Sequence, residues 1–269
     1  MSTAVLDVPT PGVLERAGWA VRDTLTLTRR ELLLWVRVPA YIMFTVVQPV
    51  MFVLMFRYVF GGAIPVKVPG GYVSYLMPGI IGQTAAFASF ATAIGLARQS
   101  QLGVIDRFRA MPMARGAVLG GRLCADAVRM MITILVIVGV GYLVGFRFQN
   151  GVVAAIGMVL LAEAFGLAVC CVSGAIGLAI RDEESVQAFG LIWLFPLTFV
   201  SSAFVPVQTM PGALRAFANH QPVTFVINAM RSLALGGPLE PQLWQAIVSV
   251  VGILAVFGPL AVRVYKRAS

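Results

Sequence analysis

Six long apolar runs constrain this chain more than anything else in it. Residues 38–56, 68–97, 130–146, 148–180, 185–214 and 241–262 are uncharged, except for Glu163 in the fourth. A helix crosses the hydrocarbon of a bilayer with roughly 20 apolar residues. The runs predict six spans, near 41–60, 73–97, 126–146, 152–180, 186–206 and 243–264. Only helices and closed barrels satisfy their backbone in lipid, and these runs are continuous where barrel strands would alternate. The expected fold is therefore an all-α polytopic membrane protein, with residues 1–269 forming a single transmembrane domain. Composition agrees, with 59% hydrophobic and 12% charged residues, about half the charged share of a soluble domain.

The net charge of +9 raises the question of nucleic acid, since basic stretches often bind it. Here the cations sort instead by side of a membrane. With both termini on the cytoplasmic face, 15 of the 20 Lys and Arg fall inside: Arg16, Arg22, Arg29, Arg30, Arg37, Arg98, Arg107, Arg109, Arg115, Arg122, Arg129, Arg181, Arg263, Lys266 and Arg267. Outside fall Arg57, Lys67, Arg147, Arg215 and Arg231. The expected setting is the cytoplasmic membrane, with lipid and not nucleic acid as surroundings. No cleavable signal peptide is legible, because the first forty residues lack a short apolar core followed by small residues.

The segments between the spans differ in character. Residues 1–12 hold Pro9, Pro11 and Gly12 and read as a flexible tail. Over 13–38, Leu14, Val21, Leu25, Leu32 and Val36 recur at helical steps, while Arg22, Arg29, Arg30 and Glu31 fall elsewhere on the wheel. That pattern predicts an amphipathic helix in the interface, its charges toward the headgroups. It either anchors the chain or acts as an elbow for the spans it leads into. Residues 207–242 hold two apolar pieces, 213–218 and 223–235, joined by Asn219-His220-Gln221-Pro222. Each is too short to span, so an external re-entrant hairpin is expected, with Pro211, Asn219, His220 and Pro222 at its turns as a candidate gate.

Several chemistries are excluded. The three cysteines, Cys124, Cys170 and Cys171, lie in or beside spans without disulfide or metal spacing. His220 is the only histidine, so no histidine metal cluster exists. No Gly-x-Ser-x-Gly elbow occurs. No phosphate-binding loop occurs either, since neither lysine, Lys67 or Lys266, follows a glycine. The chain is expected to be no enzyme and to hold no cofactor.

The stretch Arg98-Gln-Ser-Gln-Leu-Gly103-Val-Ile-Asp106-Arg107-Phe108-Arg109-Ala-Met111-Pro112-Met113-Ala-Arg115 stands between two uncharged spans. Pro112 ends one helix and starts another. Asp106, Arg107 and Arg109 suit a polar docking surface, with Phe108 as an apolar anchor. The arginines also serve to hold topology.

Three segments carry a resemblance. One is Arg29-Arg30-Glu31-Leu32-Leu33, Arg37-Val-Pro39, Gln48-Pro49 and Phe60-Gly61-Gly62. Another is the stretch from Gly103 to Arg115, continued by Gly121-Arg122 and Ala125-Asp126. The last is Ser201-Ser-Ala-Phe204-Val-Pro206, Met210-Pro211-Gly212, Asn219-His-Gln-Pro222-Val-Thr224 and Ala229-Met-Arg231. In this order, over residues 24 to 238, they resemble the permease of type-2 ABC exporters, in the daunorubicin-resistance branch. Many such permeases carry a glutamate shortly before the glycine at 103, where this chain has Gln99 and Gln101.

The resemblance implies a coupling helix at 99–115, with Gly103, Asp106, Arg107, Phe108, Arg109, Met111, Pro112 and Arg115 facing a separate ATPase subunit that holds ATP and magnesium. It also implies pairing with a second copy or a paralogue, and export of an amphipathic drug or lipid. Glu163 sits near the midplane of span four, where a carboxylate is costly. It either faces the pathway, favouring cationic cargo, or makes a structural contact. A stand-alone secondary transporter or channel is the alternative, and would favour more ionisable residues on its pathway.

Overall fold

The computed structural model describes residues 13–61, 64, 66, 68–104, 107 and 116–267. Among them are nine α-helices: α1 Val13–Arg37, α2 Pro39–Val59, α3 Gly71–Gln101, α4 Ala117–Leu143, α5 Gly151–Ile180, α6 Glu183–Phe199, α7 Gly212–His220, α8 Pro222–Leu235 and α9 Gln242–Arg267. Four are long and apolar enough to cross a membrane: α3, α4, α5 and the Gln242–Tyr265 part of α9. The chain is a multi-pass membrane protein. Of the two remaining expected spans, α2 has an apolar stretch over Thr45–Val59 only, and α6 stops at Phe199 after 17 residues.

The core lies where α3 and α5 pack along each other, with α8 and α9 laid against α5. Leu76, Ile81, Ile134, Met158, Ala162 and Ile227 are fully buried there. Small residues allow the close approach. A Cβ at Gly79 of α3 would strike the carbonyl oxygen of Ala203, and one at Gly177 of α5 would strike that of Ala93. Apolar side chains elsewhere face outward, as Val153, Ile192, Trp244 and Val251 do. Lipid or another chain must cover so much exposed apolar surface.

Two boundaries and one helix face depart from the sequence expectation. The third span, expected from 126, begins nine residues earlier, because Arg122, Asp126 and Arg129 pair with charged partners inside the helix wall. The fifth, expected to reach 206, ends at Phe199. Ser201, Ser202, Ala203 and Phe204 then form a buried irregular turn. The amphipathic reading of α1 placed Glu31 among the outward charges. Instead Leu27, Thr28, Glu31 and Trp35 form the buried stripe, and the expected apolar positions Val21, Leu25 and Val36 are exposed. Glu31 is drawn inward by a cation that only the tertiary fold brings near it.

The hairpin region holds α7 and α8, broken at Gln221. Pro222 suits the first turn of α8, where its missing N–H costs nothing. In α7 only Ala218 is buried, whereas Val223, Val226, Ile227 and Met230 of α8 are fully enclosed.

Candidate functional site

Five helices surround a cavity of about 870 Å³. α1 contributes Glu31 and Trp35, α2 Gln48 and Phe52, α3 a stripe from Ile80 to Gln99, α4 Arg122 to Thr133, and α6 Glu183 and Gln187. The volume is that of a small-molecule site. Polarity changes along it. Arg98, Gln99, Glu31 and Arg122 line one end, Phe87 and Phe90 the middle, and Phe52 and Ile80 the other end.

One wall is ionic. Arg122 donates from Nη1 to Glu31 Oε2 at 2.7 Å and from Nη2 to the Ala91 carbonyl at 2.8 Å. Glu31 Oε1 accepts from Gln99 Nε2 at 3.2 Å and from Arg30 Nη1 at 3.3 Å. One turn along α4, Asp126 pairs with Arg129 and accepts from the Thr92 hydroxyl at 2.6 Å. Arg122 Nε lies 3.6 Å from Asp126 Oδ2. The i,i+3 and i,i+4 spacings put the three α4 charges on one face. The side chains of Arg122, Glu31 and Asp126 are 5–9% exposed, a burial that charges tolerate only when paired. The network therefore staples α1 to α3 and α4, the two helices flanking residues 102–116.

At the opposite end of α3, a second arginine works without any carboxylate among the described residues. Arg231 of α8 donates to the Ser202 carbonyl at 2.8 Å, to the Tyr75 carbonyl at 3.2 Å and to Asn228 Oδ1 at 2.9 Å. Its guanidinium lies 3.7 Å from the centre of the Tyr75 ring. The Tyr75 hydroxyl donates to the Ser202 carbonyl at 3.0 Å, and that of Tyr72 to the Phe204 carbonyl at 3.1 Å. Gln221 donates to the Val200 carbonyl. Side chains thus satisfy the carbonyls of the buried turn that follows α6, as backbone at membrane depth demands.

Residues 22–235 match the family model described as ABC-2 type transporter. This chain belongs to the ABC-2 type transporter family. The permease is 32% identical over 248 residues to the daunorubicin resistance ABC transporter permease protein DrrB1 of Streptomyces coeruleorubidus, covering 92% of this chain and 87% of the relative. It is 30% identical over 260 residues to the probable doxorubicin resistance ABC transporter permease protein DrrC of Mycobacterium tuberculosis, covering 96% and 94%. It is 22% identical over 212 residues to the putative transport permease ycf38 of Pyropia yezoensis.

The permease distributes its sequence-predicted site residues over separate places. Gly103 ends α3 with φ +62, and its N–H bonds the Ser100 carbonyl at 3.1 Å. This is the left-handed helix end that glycine favours. The N–H of exposed Arg107 bonds the Gly103 carbonyl at 3.2 Å. Asp106, Phe108, Arg109, Met111, Pro112 and Arg115 lie outside the described residues. Gln99 and Gln101 belong to the last turn of α3, and Gln101 donates to Asp182 at 3.1 Å. Asp182 caps α6 through the Ser185 N–H at 2.7 Å, and hydrogen bonds from Ser185 hold its carboxyl below the ordinary range.

Glu163 is half-buried in α5, away from the cavity lining, and its Oε2 is buried without a hydrogen-bond partner among the described residues. Pro211, Asn219 and His220 are exposed and Pro222 half-buried; His220 Nδ1 bonds the Ala216 carbonyl of its own helix at 2.8 Å. Sequence reading missed the Glu31–Arg122 pair and the role of Arg231. It could have found the Arg122, Asp126 and Arg129 face from spacing alone.

Proposed function

We propose that this permease is the membrane half of an ATP-driven exporter that moves amphipathic drugs or lipids out of the cell, powered by a separate ATPase subunit that binds ATP and magnesium. The observation that carries the reading is the cavity, which has Phe52, Phe87 and Phe90 on its wall and a charged cluster at one end. It lies in a chain whose near-full-length relatives are named for daunorubicin and doxorubicin resistance. Two copies, or one copy and a paralogue, complete the path.

In this reading α2 and α6 join the four long helices to give six spans in the cytoplasmic membrane, with both termini inside, as the 15 of 20 cations favour. α1 is the interfacial elbow, and residues 99–115 are the coupling segment on which the ATPase pulls. α7 and α8 form the outer gate, with Pro211, Asn219, His220 and Pro222 at its turns. Glu163 either borders the path in one state or packs as a neutral acid.

Purification with the ATPase and reconstitution in liposomes tests this. ATP-dependent movement of an amphipathic dye or drug is expected, and its absence across a panel of such compounds would overturn the reading. Arg107→Ala combined with Phe108→Ala is expected to leave membrane insertion intact and abolish co-purification of the ATPase. Normal co-purification and transport would exclude residues 99–115 as the coupling segment.

A further inference from the structure

We infer that the cavity takes an anionic amphiphile, with a phosphate or carboxylate head held at the Trp35–Arg98–Arg122 end and an apolar tail along Phe87 and Phe52. The inference rests on reading the cavity as the cargo path of an exporter, and names the class of cargo. It comes from counting hydrogen-bond donors and acceptors on the wall.

Glu31 and Asp126 carry four carboxylate oxygens, and each is already engaged. Arg30 and Gln99 take one, Arg122 the second, Arg129 the third and Thr92 the fourth. The donors are not exhausted. Trp35, 8% exposed, lines the cavity, and its indole N–H is buried without an acceptor among the described residues. The Nε–H of Arg122, also 8% exposed at the residue level, makes no hydrogen bond and faces Asp126 Oδ2 only at ion-pair distance, 3.6 Å. Both groups can only donate. A buried donor left unmatched costs free energy that an incoming acceptor would recover.

Charge points the same way. The described lining holds four cations, Arg30, Arg98, Arg122 and Arg129, against three acids, Glu31, Asp126 and Glu183. Arg98, at the mouth, has no ion pair among the described residues. Glu183 sits in the first turn of α6, where the helix dipole favours its negative charge. A cationic head would meet no free carboxylate in the buried wall and would have to break a buried ion pair, which is strongly unfavourable. An anionic head meets the unmatched indole N–H of Trp35 and the guanidinium of Arg98, which has no ion pair among the described residues. Apolar length is supplied by α3, whose lining stripe from Ile80 to Gln99 runs for about 28 Å at 1.5 Å per residue.

The test uses the permease–ATPase complex in phosphatidylcholine nanodiscs, photolabelled with a diazirine derivative of dodecyl phosphate. Peptides containing Phe52 and Phe87 should carry the label. Dodecyl phosphate should compete at least tenfold better than dodecyltrimethylammonium. Inorganic phosphate should compete poorly; equal competition by it would mean a free-anion site and overturn the amphiphile. Trp35→Phe, which keeps the ring, and Arg98→Gln, at an exposed position, should each weaken labelling about tenfold, the size of one hydrogen bond to a charged group. Unchanged labelling in both variants, or equal competition by the cationic chain, overturns the inference.

Liposomes containing the same complex separate the two readings. ATP-driven export of a cationic drug that dodecyl phosphate does not inhibit would overturn the anionic cargo and leave the exporter standing. Loss of ATP-driven export for every cargo would overturn both.

Discussion

Arg122 of α4 and Arg231 of α8 bear on opposite halves of the same long helix, α3, and both are held among helices with polar partners. Arg122 is answered by a carboxylate from another helix, 91 residues away in sequence, and borders a cavity. Arg231 is answered by main-chain carbonyls, an amide and an aromatic ring, with no carboxylate among its described partners. In the first arrangement the ion pair can be removed as a unit, since Glu31 and Arg122 meet through side chains, and only the Ala91 carbonyl then loses a donor. The second cannot, because two of its acceptors belong to the backbone and remain whatever the sequence does. An ion pair ties elements that side-chain substitution could uncouple. A cation on carbonyls fixes a turn that must not move.

The sharpest break of this comparison is Arg122→Ala. It leaves Glu31 buried with its closest cation gone, and a loss of roughly 3–5 kcal/mol is expected. Adding Glu31→Gln to Arg122→Met should recover most of that loss. Unfolding in detergent followed by circular dichroism measures both, and a double variant as unstable as the single one would show that the pair is not a dismantlable unit.

Arg231→Met comes next. It removes three hydrogen bonds, to the Ser202 and Tyr75 carbonyls and to Asn228 Oδ1, while the Ser202 carbonyl keeps the Tyr75 hydroxyl; at about 1 kcal/mol per bond lost, a loss of about 3 kcal/mol is expected. No added substitution at Asn228 should restore it. Recovery by Asn228→Leu would place the cost in the side chain and not in the backbone.

The smallest effect belongs to Tyr75→Phe. It removes one hydroxyl donor from a carbonyl that Arg231 also serves, and should cost about 1 kcal/mol or less. A loss as large as that of Arg231→Met would move the weight of the turn from the arginine to the tyrosine.

Much of the fold was legible because the apolar runs and their breakers are local signals. All but the first three residues of the uncharged stretch 68–97 lie in α3, and the two short pieces of the hairpin region became α7 and α8, broken beside Pro222. What stayed hidden depended on distance in sequence. Glu31 looks solvated on a helical wheel because a wheel contains no neighbour, and its partner stands at 122. Arg231 counts as one more external cation in a charge tally, which is blind to carbonyls. The cavity was illegible for the same reason, since Trp35, Phe52 and Phe87 share no local pattern. Of the expected coupling residues only Gly103 and Arg107 fall among those described; the sequence reading put Gly103 inside the coupling helix and the helix break at Pro112, whereas α3 ends just before Gly103.

The length of α3 has a mechanical consequence. It runs 31 residues without interruption, about 46 Å at 1.5 Å per residue. Tyr75, which bears on Arg231, lies near its beginning, and Thr92 and Gln99, which bear on the ionic wall, lie near its end. A tilt of about 10° pivoting at one end swings the other by roughly 8 Å over that length. With the Tyr75 end tied to the turn after α6, any such tilt would be largest at Gln101, and the cavity residues of α3 would be carried with it.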